Sequence, residues 1–472
     1  MMTTTLTIVD GVRIVVPDSL NLITPYVLQE QQDWFEDEIK FLRFLLQPGQ
    51  KVIDIGANYG VYTLSMAHTV GPTGSVWAFE PASSTARLLA EGVAANSFAH
   101  VVLEQCALSN TLGTAQLSLN QNSELNALIQ GNPPSSANET VTLVTLDECM
   151  RRHAWQDIDF VKIDAEGEEA NILKGGERFF AELSPLVQYE VKAGADLHME
   201  LVQDFAALGY DSYRLVPGLN LLVPFDAQSS PDGYLLNLFC CKRDRAERLT
   251  AQGFLLDSAA HQSTTRTERL KYFLEKVKNH DAYEWRQTIA KLPYGVKLAH
   301  HWEQTMTGKS SAEVDEALFF YAISQDSSLA SNVRFDALEA SFSQLNTLCN
   351  RQPSNLRLAS FSRVARDYGA RMLAVNAHNQ LSNVIFQHNR VDLGEPFLAP
   401  GKRFDSISPD DAIGNWVLAA VLEESELLGS FSSFYTGASA LERLKIIRTL
   451  GFGSAEMERR LHLLQKRFGL PA

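Results

Sequence analysis

Two textures of apolar patterning divide this chain. In the first, short apolar runs at residues 52–55, 76–79, 101–103, 160–163, 186–191 and 235–240 alternate with segments of helical period, among them 59–70, 85–96, 168–180 and 197–208. Runs of this length bounded by turn residues read as strands. Strand-helix alternation predicts a parallel α/β sheet with helices on both faces. Ahead of it, runs 6–9 and 12–16 are joined at Asp10-Gly11, which predicts a hairpin. A single helix is expected over 28–46, closed by Pro48-Gly49. Residues 120–140 break the rhythm: they are polar, hold Pro133-Pro134, and form a long loop expected to cap a substrate site.

The second texture begins near Arg245. After the polar stretch 251–267, strand signals stop and helical patterns run through 314–323, 335–348, 358–381, 412–428, 441–450 and 455–468. Ser310-Ser311-Ala312-Glu313 has the form of a capping box ahead of the first of these. The expected organisation is a hairpin and helix over 1–50, an α/β domain over 51–244, a linker over 245–267, and an all-α domain over 268–472, built as a bundle or helix-pair array. The 472-residue length is itself too great for one core.

Charge and cysteine content narrow the function classes. A formal net charge of -15 argues against nucleic acid as partner, because phosphate neutralisation needs a Lys/Arg excess. Five cysteines without metal-ligand spacing fit a reducing compartment, the start lacks a signal-peptide pattern, and no apolar run is long enough for a bilayer. A cytoplasmic location is expected.

The chemistry concentrates at two strand ends. In Asp54-Ile55-Gly56-Ala57-Asn58-Tyr59-Gly60 a buried strand ends in an acid, turns through glycine and starts a helix. At the carboxyl edge of a doubly wound sheet, such a turn lets backbone approach a ligand. The central glycine of a pyrophosphate-binding turn is missing, which favours a ligand without phosphate whose cationic group faces Asp54. S-adenosylmethionine has that character. Glu80, followed by Pro81, ends the next strand, where an acid accepts ribose hydroxyls. The second strand end is Lys162-Ile163-Asp164-Ala165-Glu166-Gly167-Glu168-Glu169. Glu168 and Glu169 read as acids at a helix start, whereas Asp164 and Glu166 precede the helix and face the crevice. Glu190 ends a third strand of this type.

Together the turn 54–60, Glu80-Pro81, residues 144–147 and the run 161–167 resemble the FkbM-type methyltransferases over about residues 36–242. The resemblance implies a seven-stranded Rossmann-like sheet and methylation of hydroxyl groups on sugars and natural products. It also implies that Asp54, Gly56, Asn58 and Gly60 hold the methionine part, Glu80 the ribose and Cys106-Ala107 the adenine edge, with Ala57 and Pro81 also among the cofactor-binding residues. It does not extend to residues 245–472.

A sulfonium is already a good leaving group, so methyl transfer needs mainly positioning. A hydroxyl acceptor gains from a general base as well. Asp164, Glu166, Glu190 and His198 are the candidates, although a lone helical histidine such as His198 more often lies on a surface. An Asp/Glu pair there could instead take Mg²⁺; no histidine or cysteine cluster marks a metal site. A small-molecule or glycan acceptor is expected. Alternatives are a protein acceptor docked by the helical domain, a non-catalytic partner-binding protein, or a nicotinamide oxidoreductase, which the missing glycine and the 162–167 run oppose.

Overall fold

The computed structural model describes residues 2–129, 137–193, 196–257, 268, 271, 274, 280–306, 309–388 and 390–470. The chain forms two compact units. One comprises Met1–Leu215, Leu222–Pro231 and Leu235–Gln252; the other comprises Val216–Leu221, Asp232–Tyr234 and Gly253–Ala472.

The large sheet has eight strands, labelled here in chain order: β1 Lys51–Ile55, β2 Ser75–Phe79, β3 Val101–Glu104, β4 Phe160–Ile163, β5 Leu186–Glu190, β6 Asp211–Val216, β7 Leu221–Pro224 and β8 Asn237–Cys241. Their spatial order is β7-β6-β8-β5-β4-β1-β2-β3. Strands β5, β4, β1, β2 and β3 are parallel neighbours, while β8 runs antiparallel to both β5 and β6. The sheet is thus α/β and Rossmann-like, with one strand beyond the seven expected, contributed at the β7 edge. From β1 the chain builds outward through β2 and β3, then returns to place β4 on the other side of β1. That reversal opens a crevice at the carboxyl ends of β1 and β4. Register sets Lys162 of β4 beside Asp54 of β1 and Gln188 of β5.

The hairpin forms as the Asp10-Gly11 signal predicts, pairing Thr3–Thr7 with Arg13–Pro17. The helix expected over 28–46 is instead two, Ile23–Gln31 and Asp37–Leu45. Gln32 adopts a left-handed conformation and ends the first, a break that apolar periodicity does not reveal. The helix expected over 168–180 also splits, into Glu169–Lys174 and Glu177–Glu182. At that break Gly175 lies so near Ser109 that an added Cβ would meet its carbonyl oxygen at 2.1 Å. Part of the expected loop 120–140 forms strand: Ala127–Leu128 and the start of Asn138–Val144 pair with Gly113–Ser118 and, with Ala107–Leu108, make a small second sheet. Pro133-Pro134 lies outside the described residues.

The second unit has no strand after Cys241 among the described residues. Its helices include Pro293–Thr305, Lys309–Gln325, Ser331–Arg351, Asn355–Tyr368, Arg371–His388, Ile413–Gly429, Leu441–Leu450 and Ala455–Phe468. From Lys309–Gln325 onward, helices pack mainly on their neighbours in sequence, as in a helix array. The pattern 358–381 is divided at Gly369, which closes Asn355–Tyr368 in a left-handed conformation. Trp302, Tyr294, Phe397 and Trp416 pack ring on ring at its core, and Arg357–Glu395 and Arg363–Asp405 are ion pairs shielded from water. The side chains of the expected capping box at Ser310-Ser311 lie outside the described residues. Among the described residues no helix is long and apolar enough to cross a membrane.

Candidate active site

The turn after β1 is held by backbone bonds to β2: the N–H groups of Gly56 and Ala57 both donate to the Phe79 carbonyl, at 3.0 and 2.9 Å. Gly56 has φ +80°, and a Cβ there would come within 1.7 Å of the Asp164 carbonyl oxygen. The turns after β1 and β4 therefore touch, and only glycine permits it. Asn58 is also left-handed, at φ 48°, and Gly60 starts the helix Val61–Val70.

Asp54 is fully buried. Its Oδ2 accepts from the Thr63 hydroxyl at 2.6 Å, and its Oδ1 is buried without a hydrogen-bond partner among the described residues. Burial raises its pKa against the opposing pull of Lys162. Glu80, also buried, accepts from the backbone N–H of Asn58 and of Ala82, both at 2.9 Å. Burial nevertheless pushes its pKa up to about 7. One carboxylate thus ties the turn after β1 to the turn after β2, with lone pairs left for further donors. An unpaired acid oxygen at Asp54 and a half-charged acid at Glu80 suit a ligand bearing a cation and hydroxyl donors.

Cys106 is placed differently from Asp54 and Glu80. Its thiol packs in the apolar core with Cys149, Trp155 and Phe79, and burial pushes it up to about 12. Ala107 packs against Ala82, Leu117 and Val141.

Across the crevice, Asp164, Glu166 and Glu190 bring one carboxyl oxygen each within 4.8 Å of one another. Burial tends to raise the Asp164 pKa, but the Lys162 charge and hydrogen bonds from Lys162 and Glu190 outweigh it and hold Asp164 below the usual range. Burial and the Asp164 charge push Glu190 up to about 11. Burial and neighbouring acids push Glu166 up to about 8. The cluster at neutral pH is therefore an Asp164 carboxylate accepting from a protonated Glu190, with Glu166 titrating beside them. His198, by contrast, is half-buried and its Nδ1 pairs with the exposed Glu200 at 2.9 Å. Glu168 and Glu169 do structural work: Glu169 accepts from the N–H groups of Ala165 and Gly167, at 2.9 and 3.0 Å, and Glu168 accepts from Ser109 at 2.9 Å.

Chain residues 54–212 match the family described as Methyltransferase FkbM domain. A curated relative, Methyltransferase sdnD of Sordaria araneosa, is 26% identical over 193 residues, spanning 34% of this chain and 74% of that protein. Residues 54–212 are an FkbM-type, S-adenosylmethionine-dependent methyltransferase domain. Solved structures similar to this FkbM-domain chain include Methyltransferase FkbM from Methylobacillus flagellatus, 15% identical, covering 41% of this chain and 44% of that one with a TM-score of 0.29. A SAM dependent methyltransferase from Aquifex aeolicus is 14% identical, covering 46% and 92% with a TM-score of 0.27.

Around this methyltransferase centre the structure adds residues that motif reading passed over. Glu36, just before the helix Asp37–Leu45, accepts from the Tyr62 hydroxyl, from Trp34 Nε1 at 2.9 Å and from Asn237 Nδ2 at 3.2 Å. Gln188 Nε2 donates to the Tyr62 hydroxyl at 3.2 Å. Lys162 lies 4.7 Å over the Tyr62 ring, and its ammonium faces Asp54, Asp164 and Glu36. A lysine inside an apolar strand, one residue from the strand's end, was the available signal: only a buried acid partner makes it affordable.

Proposed function

We propose that this methyltransferase acts on a hydroxyl group of a sugar, a glycan or a natural product. The cluster of Asp164, Glu166 and Glu190 carries this reading. Bound S-adenosylmethionine would supply an electrophilic methyl group; the residues suited to hold it are Asp54, Gly56, Asn58 and Gly60 for the methionine part, with Glu80 at the ribose. An alcohol needs its proton removed as it attacks, and a carboxylate within hydrogen-bond reach serves as the base. Thiolate and carboxylate acceptors are anionic already and have no use for such a base. Lys162 and Glu190 both donate to Asp164, so Asp164 is oriented and held as the carboxylate that can take the acceptor's proton, while Glu166 gains that capacity as pH rises towards 8.

The same three acids are the ligands a Mg²⁺ version of this reading would use. The ammonium of Lys162 already neutralises Asp164, which lowers the need for a cation there. The test is to incubate the full chain with S-adenosylmethionine and a panel of glycosides and polyhydroxylated natural products, following the mass gain of one methyl group with and without chelator. Methyl ethers formed equally with chelator are the expected result. Transfer only to amines, thiols or protein would sink the hydroxyl reading.

A further inference from the structure

Glu124 lies on the tight turn Ser123–Leu125, between the strands Gly113–Ser118 and Ala127–Leu128 of the small sheet. This turn is fastened on two sides. Glu124 Oε1 accepts from the Thr24 N–H at 3.1 Å and from the Thr24 hydroxyl, and Asn122 Oδ1 accepts from the Ile23 N–H at 3.1 Å, all at the start of the helix Ile23–Gln31. The Ser123 hydroxyl donates to Asn58 Oδ1 at 2.9 Å, inside the turn after β1. Asn58 in turn donates its N–H to Glu80. A hydrogen-bonded chain thus runs from the N-terminal helix through residues 122–124 to the ribose acid.

One atom in this arrangement has nothing to do. Glu124 Oε2 is buried and lacks a hydrogen-bond partner among the described residues. Its charge acts on Tyr59 of the cofactor turn and on Glu166 of the acidic cluster, so the carboxyl group sits within electrostatic reach of both. A buried acceptor left unpaired opposes folding unless a donor arrives. With Oε1 locked on Thr24, Oε2 cannot turn away to find one.

We propose that Glu124 Oε2 accepts a hydrogen bond from the bound cofactor, from either its α-ammonium or a ribose hydroxyl, and so makes the small sheet part of the cofactor site. The inference rests on S-adenosylmethionine dependence, and the experiment separates the two. Calorimetry on the full chain would use S-adenosylhomocysteine, which has both donors, and 5′-methylthioadenosine, which keeps the ribose but lacks the amino acid. Glu124→Gln retains an acceptor for Thr24 and turns the other atom into a donor. The expected result is binding of S-adenosylhomocysteine weakened about tenfold or more, with the ligand-free unfolding midpoint unchanged or raised. Loss confined to S-adenosylhomocysteine supports the ammonium as donor; loss for both nucleosides supports the ribose. Equal affinity in wild type and variant overturns the proposal, as does a variant whose ligand-free stability falls, since Glu124 would then be a prop for the helix Ile23–Gln31. If the wild type binds neither nucleoside, the cofactor assignment itself fails.

Discussion

Lys162 Nζ and Asp164 Oδ2 are 2.6 Å apart, an ion pair between residues two positions apart at the end of one strand. Side chains at that spacing leave the same face of a strand, so the pair is formed by local geometry. The lysine is buried while Asp164 is 32% exposed, so the pair spans the boundary between core and crevice. The strand register brings Asp54 beside the same lysine, so one cation faces the acids at the ends of both β1 and β4.

Replacing Lys162 by Met should therefore leave Asp164, Asp54 and Glu36 without their shared counter-charge. A loss of roughly 3 kcal/mol in unfolding free energy is expected, within the range for breaking a buried pair. Asp164→Asn added to that variant should recover part of the loss. Urea unfolding of the two single variants and the double variant measures the coupling; strictly additive values would show that the pair does not interact.

Glu80 makes stability depend on pH in a definite direction. Its folded pKa of about 7 lies above its ordinary 4.5, so the fold favours the neutral acid. That contribution is complete below pH 4.5 and is lost as pH rises through 7, by no more than about 3 kcal/mol. Glu166, at about 8, acts in the same sense. Ribose hydroxyls, as donors, favour the carboxylate. Ligand-free stability should fall between pH 5 and 8 while affinity for S-adenosylhomocysteine rises; Glu80→Gln should make the fall in stability shallower, leaving the share of Glu166, and should flatten the affinity curve.

Asp164→Asn and Glu166→Gln keep side-chain shape and remove charge. Cofactor affinity should stay near wild type while turnover on a hydroxylated acceptor falls on the order of 10²-fold, the scale of general-base catalysis. His198→Ala should change turnover less than twofold, because the ring pairs with Glu200 at the surface. Normal turnover in both acid variants would leave the cluster without a catalytic part.

Gly56→Ala places a methyl group 1.7 Å from the Asp164 carbonyl oxygen at φ +80°. Strain and overpacking together should cost roughly 2–5 kcal/mol. Because the clash is between the turns after β1 and β4, cofactor affinity and turnover should fall together in whatever protein remains folded. A variant of wild-type melting temperature would mean the two turns do not touch.

Elements with a local cause were legible from residue order. The strands β1, β2, β4 and β5 announce themselves as apolar runs, the hairpin as Asp10-Gly11, and the turn after β1 as an acid followed by spaced glycines. The placement of Asp54, Glu80, Asp164, Glu166 and Glu190 at or just past strand carboxyl ends was legible for the same reason, and that edge of a doubly wound sheet is where ligands bind. Strands β6 and β7, the small sheet, and the breaks at Gln32 and Gly175 were not, because their pairing partners or the contacts that break them lie far away in sequence.

What the sequence alone determined was the α/β order, the helical second half and the positions of acids on strand ends, since each depends on period or on neighbours a few residues away. The tertiary structure decided which of those acids share a space and in what charge state. Glu190 meets Asp164 only because β4 and β5 are adjacent. Glu124 reaches Thr24 across 100 residues of chain. Lys162 is held charged by Asp164, Asp54 and Glu36, three acids on three different elements. Desolvation and Coulomb energy depend on distances through space, and those distances exist only once the chain has closed on itself.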